Sequence, residues 1–207
     1  MANLSWKLQA VLQGGAQAAL LDTYGSERQA HVTDLTTRIK HIGQLIGERD
    51  LSRARARDAE LLDQCGGVVK PTPRQDVQPA LRTGLLAHQE SSARGTLFPQ
   101  PWLHQPGGPD RRMDDVYGCG WRLVMAQGAD PAWAKLARRR SDSALCIVTC
   151  GGDGLQETQG VLQAWFDRHQ TLCALVRPDH YVYGTATDAS GVASWFDELS
   201  AFSSRAA

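Results

Sequence analysis

A proline-rich stretch divides this sequence into two parts of different character. Seven of the nine prolines lie between Val68 and Arg112. Proline has no backbone N–H to donate and blocks the interior of a helix, so this stretch is predicted to be an extended connector. A connector of this length needs a surface to lie on. Its apolar anchors would be Leu81, Leu85, Leu86, Leu97, Phe98 and Trp102.

The residues before the connector predict helices. The first helix, near the N-terminus, would place four apolar residues on one face: Leu4, Leu8, Val11 and Leu12. A long second helix is predicted over residues 26–48, where a narrow apolar seam repeats at spacings of three and four: Val32, Leu35, Ile39, Ile42 and Ile46. His31 and His41 lie beside this seam, and we interpret them as polar residues of a helix edge rather than as zinc ligands.

A third helix is predicted from Asp50, a good N-cap, to about Gln64. Gly66-Gly67 would end it. Its arginines could bind a phosphate group or a nucleic acid. Acidic residues on the same helix favour a solvated, salt-bridged face instead.

The residues after the connector alternate between strand and helix patterns in the order β-α-β-α-β-β-α. The predicted strands cover 121–126, 144–149, 172–177 and 181–185, and the predicted helices follow Asp130-Pro131, Thr158 and Asp188. Helices between the first strands make those strands parallel, and the short turn at Pro178-Asp179-His180 makes the last two antiparallel. This order is thioredoxin-like, so the predicted fold class is α+β or α/β.

Composition excludes several classes of protein. The formal net charge of the 207 residues is zero, which does not suggest a nucleic-acid or anionic-membrane partner. No apolar run approaches the roughly 18–20 residues of a membrane helix, and there is no signal-peptide pattern. Five cysteines, an odd number, fit reduced thiols in a cytoplasm better than a disulfide framework.

No motif assigns a catalytic, cofactor-binding or metal-binding residue. There is no G-x-G-x-x-G after a strand, and Gly151-Gly152-Asp153-Gly154 is interpreted as a plain strand-to-helix turn. There is no Cys-x-x-Cys, since Cys146 and Cys150 are four residues apart. The six histidines show no metal-ligand spacing, G-x-S-x-G is absent, and the Asp179-His180 pair is expected to be exposed in its turn.

Several short strings nevertheless resemble one family, the FAD-dependent aromatic hydroxylases of the phenol and 3-(3-hydroxyphenyl)propionate hydroxylase type. The strings are Asn3-Leu4-x-Trp6-Lys7-Leu8, Leu20 to Tyr24 with Glu27-Arg28, Ile42 to Asp50 with Ala56 to Ala59, Gly95 to Pro101, and Ala174 to Val182. Together they span most of the chain. The last is the most family-like.

The resemblance implies the C-terminal part of such an enzyme. In that family the first helix follows a Gly-Asp flavin motif and a glycine-rich loop, and neither precedes it here. The expected domains are a helical remnant of the flavin and substrate domain at 1–67, the connector at 68–113, and a thioredoxin-like domain lacking Cys-x-x-Cys at 114–207. The whole enzyme would hydroxylate a phenolic ring with FAD, NAD(P)H and O2.

The resemblance carries no catalytic residue onto this chain, although Asn3 and Trp6 would lie nearest the flavin. FAD is not expected to bind tightly to this chain alone. Its expected partner is an N-terminal FAD-binding portion or a second copy. A non-enzymatic thioredoxin-like interaction or dimerisation module stays open as the alternative. A thiol-dependent enzyme would rest on the fold alone.

Overall fold

The structure, a computed structural model, describes residues 2–69, 77–141, 145–152 and 154–204. It divides into two compact units. The sheet unit comprises Met1–Glu27 and Ala80–Ala207, and the helical unit comprises Arg28–Pro79. These limits differ from the predicted domain boundaries after residues 67 and 113, because the connector from residue 80 onwards packs with the strands. The predicted division into three domains stays a prediction.

A four-stranded sheet forms the centre of the sheet unit, in the order β4 (Leu145–Thr149), β3 (Trp121–Met125), β5 (Cys173–Val176) and β6 (Val182–Ala186). β3 and β4 are parallel, and β5 is antiparallel to both β3 and β6. The predicted β-α-β-α-β-β-α order is therefore observed, with the first two strands parallel and the last two antiparallel as predicted. The prediction that intervening helices make the strands parallel is wrong for β5, which is antiparallel to β3 although a helix separates it from β4. The elements are β3 Trp121–Met125, α5 Ala132–Arg140, β4 Leu145–Thr149, α6 Val161–His169, β5 Cys173–Val176, β6 Val182–Ala186 and α7 Ala189–Ser200.

Helices cover both faces of this sheet, which explains the continuous apolar strands. Alternate residues of β3 point to opposite faces: Leu123 joins one hydrophobic cluster and Val124 joins another. The first cluster receives Trp133 of α5 and Trp195 of α7. The second receives the buried residues of α6, Leu162 and Phe166.

The helix ends follow local chemistry. Asp188 caps α7 as predicted, its side chain accepting a hydrogen bond from the N–H of Gly191. The helix predicted from Thr158 begins three residues later, at Val161. Gly160 just before it has φ 65°, a left-handed conformation that glycine adopts without strain. The predicted start at Ala144 of the second strand lies outside the described residues.

The described part of the connector lies against the sheet unit, as its apolar anchors predicted. Leu81, Leu85, Leu86 and Phe98 are buried, while Leu97 and Trp102 are partly buried. Backbone hydrogen bonds join it to β6: Ala87 N–H donates to Tyr183 O, and Gly95 N–H donates to Val182 O. A two-residue pairing of β1 Trp102–Leu103 with β2 Arg111–Arg112, and the short helix α4 Met113–Tyr117, were not predicted.

The remaining helices are α1 Ala2–Leu12, α2 Ala19–Ile46 and α3 Leu51–Gln64. α2 begins earlier than the predicted residue 26, and Asp50 caps α3 as predicted. Of the described residues in the helical unit, only His31 and Pro79 are buried. The apolar seam of α2 is exposed at Val32, Ile39, Ile42 and Ile46.

Candidate functional site

Five polar and charged residues form a buried cluster in the sheet unit, here called the ion cluster: Asn3, Lys7, Glu27, Arg177 and Asp179. Each is at most 7% exposed. Three segments that are far apart in the sequence supply them. These segments are α1, the first part of α2, and the turn between β5 and β6.

Arg177 is the centre of the ion cluster. Its guanidinium donates two hydrogen bonds to the Glu27 carboxylate, at 3.0 and 2.8 Å, and two to the Asp179 carboxylate, at 3.0 and 2.8 Å. Such two-point pairs are the strongest arginine contacts because both N–H groups match both oxygens. Arg177 also donates to the carbonyl of Leu85 in the connector, at 2.7 Å.

Lys7 and Asn3 attach α1 to the same carboxylates. Lys7 Nζ lies 2.8 Å from Glu27 Oε2 and 2.7 Å from Thr23 Oγ1. The Asn3 side-chain amide donates to Glu27 and Asp179, each at 2.7 Å. Two cations face two carboxylates, so the formal charges of the ion cluster cancel.

A glycine lets the connector reach this cluster. Gly84 has φ +93°, and a Cβ atom there would lie 2.1 Å from Cγ of Glu27. The next residue, Leu85, donates its N–H to Glu27 Oε1 at 2.8 Å. A larger residue at position 84 would push the connector away from the carboxylate.

The electrostatics of the ion cluster favour the charged forms of Glu27 and Arg177. Burial raises the pKa of Glu27, but the hydrogen bonds and charge of Arg177, with hydrogen bonds from Lys7 and Asn3, outweigh it and bring the pKa to about 2. Burial lowers the pKa of Lys7, opposed mainly by Glu27. Burial also disfavours the charged form of Arg177, but its pKa is raised by Glu27 and Asp179. A structural role fits the ion cluster better than proton transfer does, because its charged side chains are only 0–1% exposed to solvent.

Two predictions are corrected here. The first helix does not bury its predicted apolar face: Asn3 and Lys7 are its buried residues, while Leu8 is 38% and Leu12 82% exposed. Asn3 and Lys7 of α1 pack on carboxylates, while Val11 of the predicted face is only partly buried against the hydrophobic core. The Asp179-His180 pair is not exposed either, since Asp179 is buried and His180 is half-buried.

His180 belongs to a second polar cluster, adjacent in sequence to the first. Its Nδ1 lies 2.8 Å from a guanidinium nitrogen of Arg122 and 3.3 Å from Oδ2 of Asp114. Arg122 is 1% exposed and pairs with Asp114. Burial and the Arg122 charge lower the pKa of His180, while Asp114 and Asp179 raise it less. His180 has φ 69°, unusual for a residue with a side chain.

The loop after β4 does not fit a dinucleotide phosphate among its described residues; Asp153 lies outside them. Its amides are used internally: Leu155 N–H donates to Thr149 O and Gly151 N–H to Leu155 O. At the start of α6, the Glu157 carboxylate already accepts a hydrogen bond from the N–H of Leu162, at 2.9 and 3.0 Å. An anion would need these donors free.

The cysteines and histidines form no reactive group within the described ranges. All five cysteines are unpaired. Cys173 is fully buried in the sheet, and burial raises the pKa of its thiol. Cys146 is only half-buried. His31 is buried and bonds Arg28 through Nδ1 at 2.7 Å. No group of three or more potential metal ligands occurs there.

None of the helices in the described part of the chain combines the length and apolar character needed to cross a membrane.

Solved structures similar in fold to this chain include a flavin-dependent monooxygenase, PieE, and two hydroxylases. The OxyS anhydrotetracycline hydroxylase from Streptomyces rimosus matches all of this chain and 40% of its own, with a TM-score of 0.61 and 22% identity. At this identity the likeness shows the fold.

Curated proteins that are similar to this chain in sequence are also aromatic hydroxylases. A probable NADH-specific resorcinol 4-hydroxylase of Rhodococcus jostii is 33% identical over 206 residues, which are 95% of this chain and 37% of the relative. A 3-(3-hydroxy-phenyl)propionate/3-hydroxycinnamic acid hydroxylase of Burkholderia cenocepacia is 27% identical over 98% of this chain and 42% of its own. The chain thus spans about two fifths of the length of these relatives.

Two family models match the chain. Residues 95–201 match the HcaD C-terminal domain, and residues 1–39 match an FAD binding domain. The chain belongs to the HcaD C-terminal domain family and is homologous to the C-terminal region of flavin-dependent aromatic hydroxylases. The predicted resemblance is confirmed.

The strings that carried this resemblance meet in the structure. Asn3 and Lys7 come from the first string, Glu27 from the second, and Arg177 and Asp179 from the last. Sequence reasoning did not assign them a site. The sequence signal that could have indicated this cluster is the presence of charged residues within otherwise apolar strings.

Proposed function

We propose that this chain is the C-terminal portion of an aromatic-ring monooxygenase that hydroxylates a phenolic substrate with FAD, NAD(P)H and O2. The observation that carries the proposal is the homology with hydroxylases along nearly the whole chain. The names of those relatives give resorcinol and 3-(3-hydroxy-phenyl)propionate as substrates, and both compounds are phenols. A cytoplasmic location fits the unpaired cysteines.

In this proposal the chain supplies structure rather than reacting groups. The ion cluster joins α1 and the start of α2 to the turn between β5 and β6, and residues 1–39 match an FAD binding domain model. The remaining wall of the flavin site belongs to an N-terminal FAD-binding portion. The domain with the β-α-β-α-β-β-α order serves as a thioredoxin-like scaffold lacking Cys-x-x-Cys.

A flavin titration tests the proposal. We expect the purified chain to bind FAD weakly or not at all, because amides that could bind a phosphate in the described loop after β4 and at the start of α6 are already hydrogen-bonded within the chain: those of Gly151, Leu155 and Leu162. Flavin absorbance and fluorescence should stay those of free FAD when the chain is added at micromolar concentration. Tight, stoichiometric binding would contradict the proposed division of the flavin site.

The exposed seam of α2 favours a second candidate, a non-enzymatic dimerisation module. Four apolar residues of that seam are 42–78% exposed, and exposed apolar stripes promote association. Size-exclusion chromatography with light scattering separates the candidates. A monodisperse monomer counts against the module, whereas a dimer dissociated by Ile39→Lys, but not by Gln44→Lys on the same helix, supports it.

A further inference from the structure

A cleft of about 680 Å³ opens on the sheet unit. It lies between α1, the β4 side of the sheet, and α7 with the residues that follow it. Cavities of roughly 300–1,000 Å³ are typical of sites for small organic molecules. The volume therefore suits a ligand with one to three rings.

Aromatic side chains form much of the cleft wall: Trp6, Trp121, Phe196 and Phe202. Trp6 and Trp121 meet edge to face, with centroids 5.8 Å apart and planes at 81°. Trp121 makes a similar contact with Tyr183, at 5.8 Å. The guanidinium of Arg177 lies 5.6 Å from the Trp6 ring centre. These contacts fix the wall before any ligand arrives, which lowers the ordering cost of binding.

Among the residues that the structure describes, the ionisable side chains that line the cleft are Arg140 and Cys119, and none is a carboxylate. Arg140 ends α5 together with two more arginines, Arg138 and Arg139. Arg140 pairs with Asp197 at 2.6 Å, but both side chains are substantially exposed, 41% and 71%. An incoming anion could compete with an ion pair of this kind, because exposed pairs are weak.

We infer that this cleft binds a flat apolar anion of the aromatic carboxylate class, with its rings against the tryptophans and its carboxylate at Arg140. We assign it a binding role only; within the described ranges, its lining holds no carboxylate or histidine to move a proton. The inference does not rest on the proposed function. It uses only the described residues of the sheet unit.

A matched pair of probes tests the assignment in the full chain. Naphthalene-2-carboxylate carries the anion, and naphthalene-2-methanol has the same rings without it. We expect the carboxylate to bind more tightly by about two- to fivefold, the range that an exposed ion pair accounts for. Quenching of tryptophan fluorescence, corrected for absorption by the probe, and isothermal titration calorimetry measure both affinities.

Two substitutions should act in opposite directions. Arg140→Gln should weaken carboxylate binding to the level of the neutral probe and leave the neutral probe unchanged. Asp197→Asn frees Arg140 from its partner and should tighten carboxylate binding by about twofold. Arg139→Gln, on the same turn but outside the lining, is the control and should change the affinity less than Arg140→Gln.

The two exposed cysteines locate the bound probe. Cys119 lines the cleft and Cys65 does not. Naphthalene-2-carboxylate should slow alkylation of Cys119 by iodoacetamide and leave Cys65 unaffected, as read by mass spectrometry.

Three results would overturn the inference. The first is equal affinity for the two probes, the second is no effect of Arg140→Gln, and the third is probe binding that leaves Cys119 unprotected. A dimer by light scattering in which Cys119 is protected without any probe would also overturn it, since a second copy would then occupy the cleft.

Discussion

Two helices of the sheet unit, α1 and α7, have apolar stripes in the sequence but opposite behaviour in the structure. α7 buries its stripe, with Val192, Trp195 and Phe196 all at most 8% exposed. α1 buries Asn3 and Lys7 and leaves Leu12 82% exposed. Periodicity alone therefore does not decide which face of a helix turns inward.

The surface opposite each helix explains the difference. α7 faces the apolar residues of the sheet, so burying its stripe is favourable. α1 faces two carboxylates and a guanidinium, and its polar residues complete their hydrogen bonds. A buried charge without such partners would cost several kcal/mol, so satisfying it dominates over burying Leu12.

The largest effect should come from breaking the ion cluster at its centre. Arg177→Met leaves Glu27 and Asp179 buried with only Lys7 to compensate them, and removing one partner of a buried ion pair typically costs about 3–5 kcal/mol. We expect the free energy of unfolding, measured by urea denaturation, to fall by that amount.

Two further variants sharpen this prediction. Arg177→Lys keeps the charge but loses the paired two-point contacts, so its loss should be intermediate. Arg139→Met removes an exposed arginine of α5 and should change the free energy of unfolding by less than about 0.5 kcal/mol. Equal stability of the Arg177→Met and Arg139→Met variants would show that the ion cluster does not hold α1.

Much of this fold was predictable because it follows from local patterns. The strand and helix order from Trp121 to Ser200, the cap at Asp188 and the buried connector anchors each depend on nearby residues or on periodicity. The ion cluster was not predictable in this way. Glu27 and Arg177 are 150 positions apart, and a charged residue gives no periodic signal of burial.

Acid should weaken the same cluster by a smaller amount. The pKa of Glu27 is about 2 in the folded chain against 4.5 ordinarily. A depressed carboxyl pKa contributes stability that is present above about pH 4.5 and is lost as the pH falls towards 2. The shift corresponds to roughly 3 kcal/mol. The pKa values of His31 and His180 are lowered in the folded chain. Their protonation therefore lowers the free energy of unfolding at a higher pH than that of Glu27, as the pH falls below 6.5.

Comparison with Glu27→Gln isolates this contribution. The difference in free energy of unfolding between the parent chain and Glu27→Gln should shrink as the pH falls from 5 towards 2.5, because protonated Glu27 resembles the amide. Glu60→Gln, at an exposed position on α3, is the control and should change the free energy of unfolding by less than about 0.5 kcal/mol. A Glu27→Gln difference that stays constant over this range would contradict the low pKa.

The smallest effect is expected on the exposed side of α1. Leu12→Ser removes a side chain that is 82% exposed at the end of the helix, so the free energy of unfolding should change by only about 0.5 kcal/mol. Val192→Thr in α7 is the matched change at a fully buried position and should cost about 1–3 kcal/mol, because it buries a hydroxyl. If Leu12→Ser cost as much as Val192→Thr, another surface would cover Leu12 in solution. Light scattering of both variants would then show whether that surface belongs to a second copy.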